Sequence, residues 1–198
     1  MSPKFAEIAF TPAVKAIQEY YGSREAYQKF VENGPANDTL TPDIIAFIQQ
    51  RDSFYLGSVS ETGWPYIQFR GGPVGFLRVI DDKTLGFADF SGNNQFLSTG
   101  NFSKNDRAFL FLMDYPNRRR LKIWGRAKVV EDAAWIERLR IPGYTGNPQR
   151  AFLITVEAWD RNCPQHIPRK YSEDDIAAIT EPLLARIAEL EAQLEQSS

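Results

Sequence analysis

The sequence predicts a mainly-β α+β fold: an antiparallel β-barrel with peripheral helices and a C-terminal helix. Three observations predict it. Between Phe54 and Trp159, six or seven short runs rich in aromatic and branched residues recur at close spacing, most of them joined by tight polar turns. Helical periodicity is confined mainly to the margins, before Arg51 and after Ser172. No Gly-x-Gly-x-x-Gly follows a strand, and strands rarely alternate with long helices, which argues against a doubly wound parallel sheet.

The elements follow in order. Pro12 to Tyr21 and Arg24 to Val31 read as short helices, with Ser23 as an N-cap between them. A loop from Asn33 to Asp38 leads to a helix capped by Thr41, with Pro42 as its first residue. Ile44, Ile45, Phe47 and Ile48 form its apolar stripe. The period then changes to two. Phe54–Val59 is a strand, Glu61-Thr62-Gly63 a hairpin turn, and Trp64 to Arg70 the return. Phe76–Ile80 and Thr84–Phe90 flank the turn Asp81-Asp82-Lys83. The polar loop Ser91 to Asn94 opens a short helix from Gln95 to about Asn101. Arg107 to Asp114 is apolar on both faces, as expected for a buried central strand. Leu121 to Val130 is the next strand, and Asp132 caps a helix to Arg140. Ile141 to Arg150 reads as loop and Phe152 to Trp159 as the last strand.

From Ile176 to Leu194 the chain is helical. Ile176, Leu183 and Leu190 recur every seven residues, with Ile187 and Leu194 beside them, a narrow seam suited to packing on another helix or on the barrel. The 198 residues contain no linker long enough to split the chain. One domain is expected: a helical segment over 1–50, a barrel core over 51–161 and the final helix over 172–196.

The formal net charge of -2 provides no global field for nucleic acid. A single cysteine, Cys163, excludes an intramolecular disulfide and any multi-cysteine metal site. With His166 as the only histidine, a His/Cys zinc site lacks ligands. Met1 to Phe10 holds no long apolar run and includes Glu7, so a cytoplasmic protein without a membrane span is expected.

One segment departs from this even charge. Arg118, Arg119, Arg120 and Lys122 place four cations in five residues, in a stretch that reads as a strand. Alternation puts Arg118, Arg120 and Lys122 on one face and Leu121 and Ile123 on the other. Such a row suits water or an anion such as phosphate.

Four runs carry a resemblance. They are Gly63-Trp64-Pro65-Tyr66-Ile67-Gln68-Phe69-Arg70-Gly71-Gly72-Pro73 followed by Gly75-Phe76-Leu77, then Leu85 to Gln95, Asn105 to Leu112, and Arg120 to Ala127. In this order and spacing the chain resembles the pyridoxamine 5'-phosphate oxidase-related, FMN-binding split-barrel family, and Asn162 to Ile167 adds a tail typical of one branch. The resemblance implies a split barrel, a homodimer with FMN at the subunit interface, and an oxidoreductase acting on a small molecule. It implies cofactor contacts from Gln68, Phe69, Arg70 and Gly71, from Phe87, Ala88, Asp89, Asn93, Asn94 and Gln95, and from Arg120 and Lys122. Gly71 and Gly72 leave room for a close ligand. Where the oxidase itself has a basic pair, this chain has Asn93 and Asn94, so a different substrate is expected. A flavin-binding or sensing protein without catalysis is the alternative, and a nucleic-acid binder using the Arg118 to Arg126 stretch is a third reading. Cys163 reads as a small buried hydrophobe or a redox thiol, and His166 as a surface residue or an acid–base group.

Overall fold

The structure, a computed structural model, describes residues 3–161 and 164–196. Among these, seven strands form one antiparallel sheet in the order β2-β1-β5-β6-β7-β4-β3. The strands are β1 (Ser53–Val59), β2 (Pro65–Gly71), β3 (Arg78–Asp81), β4 (Thr84–Phe90), β5 (Arg107–Asp114), β6 (Arg119–Val130) and β7 (Pro148–Arg161). The helices are α1 (Lys4–Ala9), α2 (Pro12–Tyr20), α3 (Arg24–Asn33), α4 (Pro42–Gln49), α5 (Leu97–Lys104), α6 (Ala133–Leu139) and α7 (Glu173–Gln196). The chain divides into two compact units: the residues up to Met113 with those from Arg120 to Arg161, and Asp114–Arg119 with the residues from Pro164 onward.

Strand alternation builds the core of the first unit. Phe54 and Leu56 on β1, Leu85 and Phe87 on β4, Ala108, Leu110 and Leu112 on β5, Leu121 and Ile123 on β6, and Phe152, Ile154 and Val156 on β7 enter a single buried cluster. Ile44, Phe47 and Ile48 of α4 join it, so that helix plugs the barrel. Each Val, Leu, Ile or Phe side chain of this set contributes about 1.5–3 kcal/mol on burial. The sheet curls far enough for a side chain of the edge strand β2 to reach β4, where Arg70 meets Asp89. This is the split barrel that the resemblance implies. A second cluster forms where Phe5 and Ala6 of α1 meet Ala158 on β7. A third forms where Leu139 of α6 covers Ala88 and Ala151.

Several expectations are corrected. Helix α1 is additional, because six residues are too short to display a period. Thr41 and Ser23 stand at N-cap positions without side-chain cap bonds, since Thr41 bonds the Asp43 carboxylate and Ser23 turns back to the Gln18 carbonyl. β3 starts at Arg78, because Phe76 and Leu77, though buried, complete the preceding turn. α5 starts at Leu97, after two left-handed residues, and β7 begins at Pro148 instead of Phe152. β5 lies inside the sheet but buries one face only: Ala108, Leu110 and Leu112 point inward while Phe109 and Phe111 are partly exposed. Arg118 does not share a strand face with Arg120 and Lys122. It closes a turn onto the Tyr115 carbonyl with φ 54°, one residue before β6 begins.

In the second unit, Asp114 is buried and accepts from Arg119 at 2.8 Å and from Asn117 at 3.0 Å. Helix α7 opens with a reciprocal cap. The Asp175 N–H donates to Ser172 Oγ at 3.1 Å, and the Ser172 N–H donates to Asp175 Oδ2 at 2.9 Å. Its apolar residues are exposed and recur at eleven, pairing Ile176 with Ile187, Ile179 with Leu190 and Leu183 with Leu194. Among the described residues no helix is long and apolar enough to cross a membrane.

Candidate functional site

At one mouth of the barrel the aromatic core ends in charge. Phe87 and Phe152 stack at 5.0 Å between ring centroids, and one alternation step further along the same strands stand Asp89 and Arg150. These two are direct cross-strand partners. Arg70 reaches across from β2, its guanidinium 5.2 Å above the Phe152 ring and 5.7 Å from that of Phe87. Arg70 Nη1 donates to Asp89 Oδ1 at 2.7 Å, and Arg150 Nε donates to Asp89 Oδ2 at 3.2 Å. The side chains of Arg70, Asp89 and Arg150 are 16%, 10% and 13% exposed, so one carboxylate bridges two sheltered cations.

A cavity of ≈ 210 Å³ opens over this triad. Tyr66, Gln68 and Arg70 line it from β2, Asp89 and Phe90 from β4, Gly92 to Thr99 from the loop and first turn of α5, and Gln149 and Arg150 from β7. The loop is held in an unusual shape. Asn93 Oδ1 accepts from the Gln95 N–H at 3.1 Å, and Asn94 and Phe96 adopt left-handed φ values of 60° and 53°. Left-handed non-glycine residues cost energy and cluster where a loop is shaped for a task. Helix α5 is pinned beneath it by Ser98 Oγ donating to Gln68 Oε1 at 2.8 Å and by Asn101 Nδ2 donating to Ser58 Oγ at 2.9 Å. A register break between Asp89 and Phe90 re-aims β4 at the cavity rim.

Six expected site residues meet here: Gln68, Arg70, Asp89, Asn93, Asn94 and Gln95. The others lie elsewhere. Phe69 points to the outer face of the sheet and packs edge-on against Tyr55 at 5.9 Å. Phe87 is core, and Ala88 is buried under Leu139. A Cβ on Gly71 would lie 2.9 Å from the Phe69 ring, and one on Gly72 2.9 Å from that of Phe76, so side chains of this chain fill the space beside both glycines. Arg120 and Lys122 do not line this cavity. Lys122 pairs with Asp160 at 2.6 Å, and Arg120 lies 6.0 Å from the Phe111 ring on the outer face. In the second unit His166 is exposed in a turn with φ 63°. Asn162 and Cys163 lie outside the described residues.

Sequence reasoning missed Gln149 and Arg150 of β7, and also Phe96 to Thr99 where α5 begins, all of which line the cavity. Arg150, Phe152, Ile154 and Val156 alternate with period two, a signal that would have extended the last strand back to Arg150. The Asp89–Arg150 pairing itself depends on register across strands and is invisible in one sequence.

The donor set fits a phosphate-bearing group such as FMN. Two guanidiniums against one carboxylate leave a formal positive charge, and Arg70 Nε is buried with no partner. Amides from Asn93, Asn94, Gln95 and Gln149 surround them. The volume falls below the roughly 300–1,000 Å³ usual for a whole small-molecule site. A cavity of this size has room for a phosphate group. Among the described residues, no cluster of His, Cys, Asp or Glu could hold a metal ion.

Comparison with known proteins gives the family. Residues 40–163 match the family model described as pyridoxamine 5'-phosphate oxidase. No curated protein matches at a significant level. Among solved structures, HupZ of Group A Streptococcus is 19% identical with a TM-score of 0.53, over 67% of this chain and 99% of that one. A Lactobacillus delbrueckii protein described as a candidate pyridoxamine 5'-phosphate oxidase is 16% identical with a TM-score of 0.50, over 62% of this chain and 94% of that one. These likenesses are of fold. The family match spans well over half of the sequence, from the residue before the α4 cap through all seven strands, and the chain belongs to the pyridoxamine 5'-phosphate oxidase family.

Proposed function

We propose that this chain is an FMN-binding oxidoreductase, active as a homodimer with the flavin at the subunit interface and with a small-molecule substrate other than pyridoxamine phosphate. The observation that carries the reading is the sheltered Arg70 at the barrel mouth, with a buried donor unpaired, facing an amide-rich loop in a chain of this family. Bound FMN supplies hydride or electron transfer. The protein's part is to bind and orient it: Arg70 takes the phosphate, Asn93, Asn94 and Gln95 add hydrogen bonds, and Gln68 and Tyr66 line the wall.

Two features support a site completed by a second subunit. The cavity is small for a whole flavin. The outer face of β2 exposes Ile67 and Phe69, at 68% and 60%, beside Tyr55 of β1. Contiguous exposed apolar surface marks an interaction site. Arg120 and Lys122 also lie on the outer face of the sheet, on β6, and in this reading face the partner.

The absorption spectrum of the purified protein, with mass spectrometry of the released ligand, tests the cofactor. Flavin bands and a mass matching FMN are expected. A protein that carries no flavin and takes up none from added FMN overturns the reading. Reduction and reoxidation of the bound flavin in the presence of candidate substrates separate an oxidoreductase from a flavin carrier.

A further inference from the structure

We infer that Arg150 is the second arm of a two-armed phosphate clamp with Arg70, and that Asp89 is the internal counter-ion that positions both arms. This rests on the FMN reading of the same cavity and assigns the residues that discriminate a phosphorylated ligand from its dephosphorylated form.

The geometry carries it. Arg70 and Arg150 come from β2 and β7, which are not neighbours in the sheet, and a single carboxylate holds them together. Each Asp89 oxygen serves one guanidinium, through Nη1 of Arg70 and Nε of Arg150. A guanidinium carries five N–H donors in a planar fork, so one carboxylate leaves most of both forks to other acceptors. Gln149 Oε1 takes one from Arg150 Nη2 at 3.0 Å, while Arg70 Nε is buried and unpaired. Arg150 is further fixed by lying 4.7 Å over the Phe96 ring, part of the same left-handed loop that lines the cavity. Two sheltered cations this close would repel without Asp89, and with it they retain one formal positive charge facing the cavity. A phosphate offers several acceptor oxygens and negative charge together, matching this surplus of donors.

Arg150 is outside the set that the family resemblance implies. The clamp predicts ligand discrimination. Binding of FMN, of riboflavin and of inorganic phosphate is measured by flavin fluorescence and by thermal melting, on full-length wild type, Arg150→Ala, Arg150→Lys and Asp89→Asn. Wild type should prefer FMN to riboflavin. Arg150→Ala should lose about ten- to a hundredfold in FMN affinity, the range for a lost charged hydrogen bond, and leave riboflavin nearly unchanged. It should also abolish the phosphate-induced rise in melting temperature. Arg150→Lys keeps the charge without the fork and should recover part of the preference. Asp89→Asn should weaken FMN selectively, although it removes a negative charge, because both arms lose their anchor.

Equal weakening of both flavins in Arg150→Ala and Arg150→Lys, or an unchanged preference, overturns the clamp. Tighter FMN binding by Asp89→Asn overturns the positioning role. A wild type that binds no flavin but shows a phosphate-dependent melting shift lost in Arg150→Ala overturns the FMN reading and leaves the clamp standing. Absence of both effects overturns both.

Discussion

Gly125 sits where β6 breaks register against β7, and a Cβ there would lie 2.5 Å from the Thr155 carbonyl oxygen and 2.9 Å from Ile154 Cγ2. The first contact is backbone, so it cannot relax by a rotamer change. Gly125→Ala should destabilise the protein by about 1–3 kcal/mol, the usual cost of overpacking. Gly100 is the opposite case. It lies inside α5, and nothing is within 4 Å of an added Cβ. Gly100→Ala should stabilise by about 0.5–1 kcal/mol, by removing backbone freedom from the unfolded chain. Denaturant titration of the two variants checks both signs, and the same sign in both would refute the packing account. The same contrast governs what could be read in advance at the site. Arg70 was legible because it stands on a strand inside a recognisable motif. Arg150 was not, because its significance comes from standing opposite Asp89, 61 residues away in sequence. Gly71 and Gly72 looked like open space because sequence does not show that the rings of Phe69 and Phe76 fold back over them.

Among the elements, the strands were the most legible, because period-two burial repeats in β1, β5 and β6 and one face of each must enter the core. Short helices and element ends were less so. The start of α5 depends on left-handed residues at Asn94 and Phe96, and few sequence signals specify that conformation outside glycine. Ties between elements were not legible, and one of them is testable by pH. Lys83, in the β3–β4 turn, donates to Asp38 at 3.0 Å and joins that turn to the loop before α4. This hydrogen bond holds the Asp38 carboxyl below its ordinary value of 3.8. A carboxyl with a depressed folded-state pKa contributes stability above its unfolded value and loses it as pH falls through the folded one. Asp38→Asn should therefore cost about 0.2–1 kcal/mol at neutral pH, as for a partly exposed pair. The difference from wild type should vanish at pH values below the folded pKa. Urea titrations at neutral and strongly acid pH measure it, and a difference independent of pH would rule the pair out. At α7, Ser172→Ala removes one half of the reciprocal cap with Asp175 and should cost about 1 kcal/mol of helix stability. Circular dichroism should show lower helix content in the variant.

At the scale of the whole molecule, the two faces of β2 present different chemistry. Its inner face gives Gln68 and Arg70 to the cavity, and its outer face leaves Ile67 and Phe69 exposed. Across the register, Phe69 opposes Tyr55 and Tyr55 opposes Phe111, so an apolar row runs over β2, β1 and β5. In the proposed dimer, a strand with one face in the cavity and the other on an apolar outer surface links assembly to binding. Burying an ionised carboxylate in such a contact carries a penalty of several kcal/mol, enough to dissociate an interface of ordinary size. Phe69→Glu should therefore give a monomer by light scattering at micromolar concentration, against a dimer for wild type. The barrel should stay folded, because Phe69 is 60% exposed and outside the core cluster. If FMN sits between subunits, the monomer should lose FMN affinity with Arg70 and Arg150 intact. A folded Phe69→Glu monomer that binds FMN as tightly as wild type would show that one chain holds the whole site, and a Phe69→Glu dimer would move the interface to another surface.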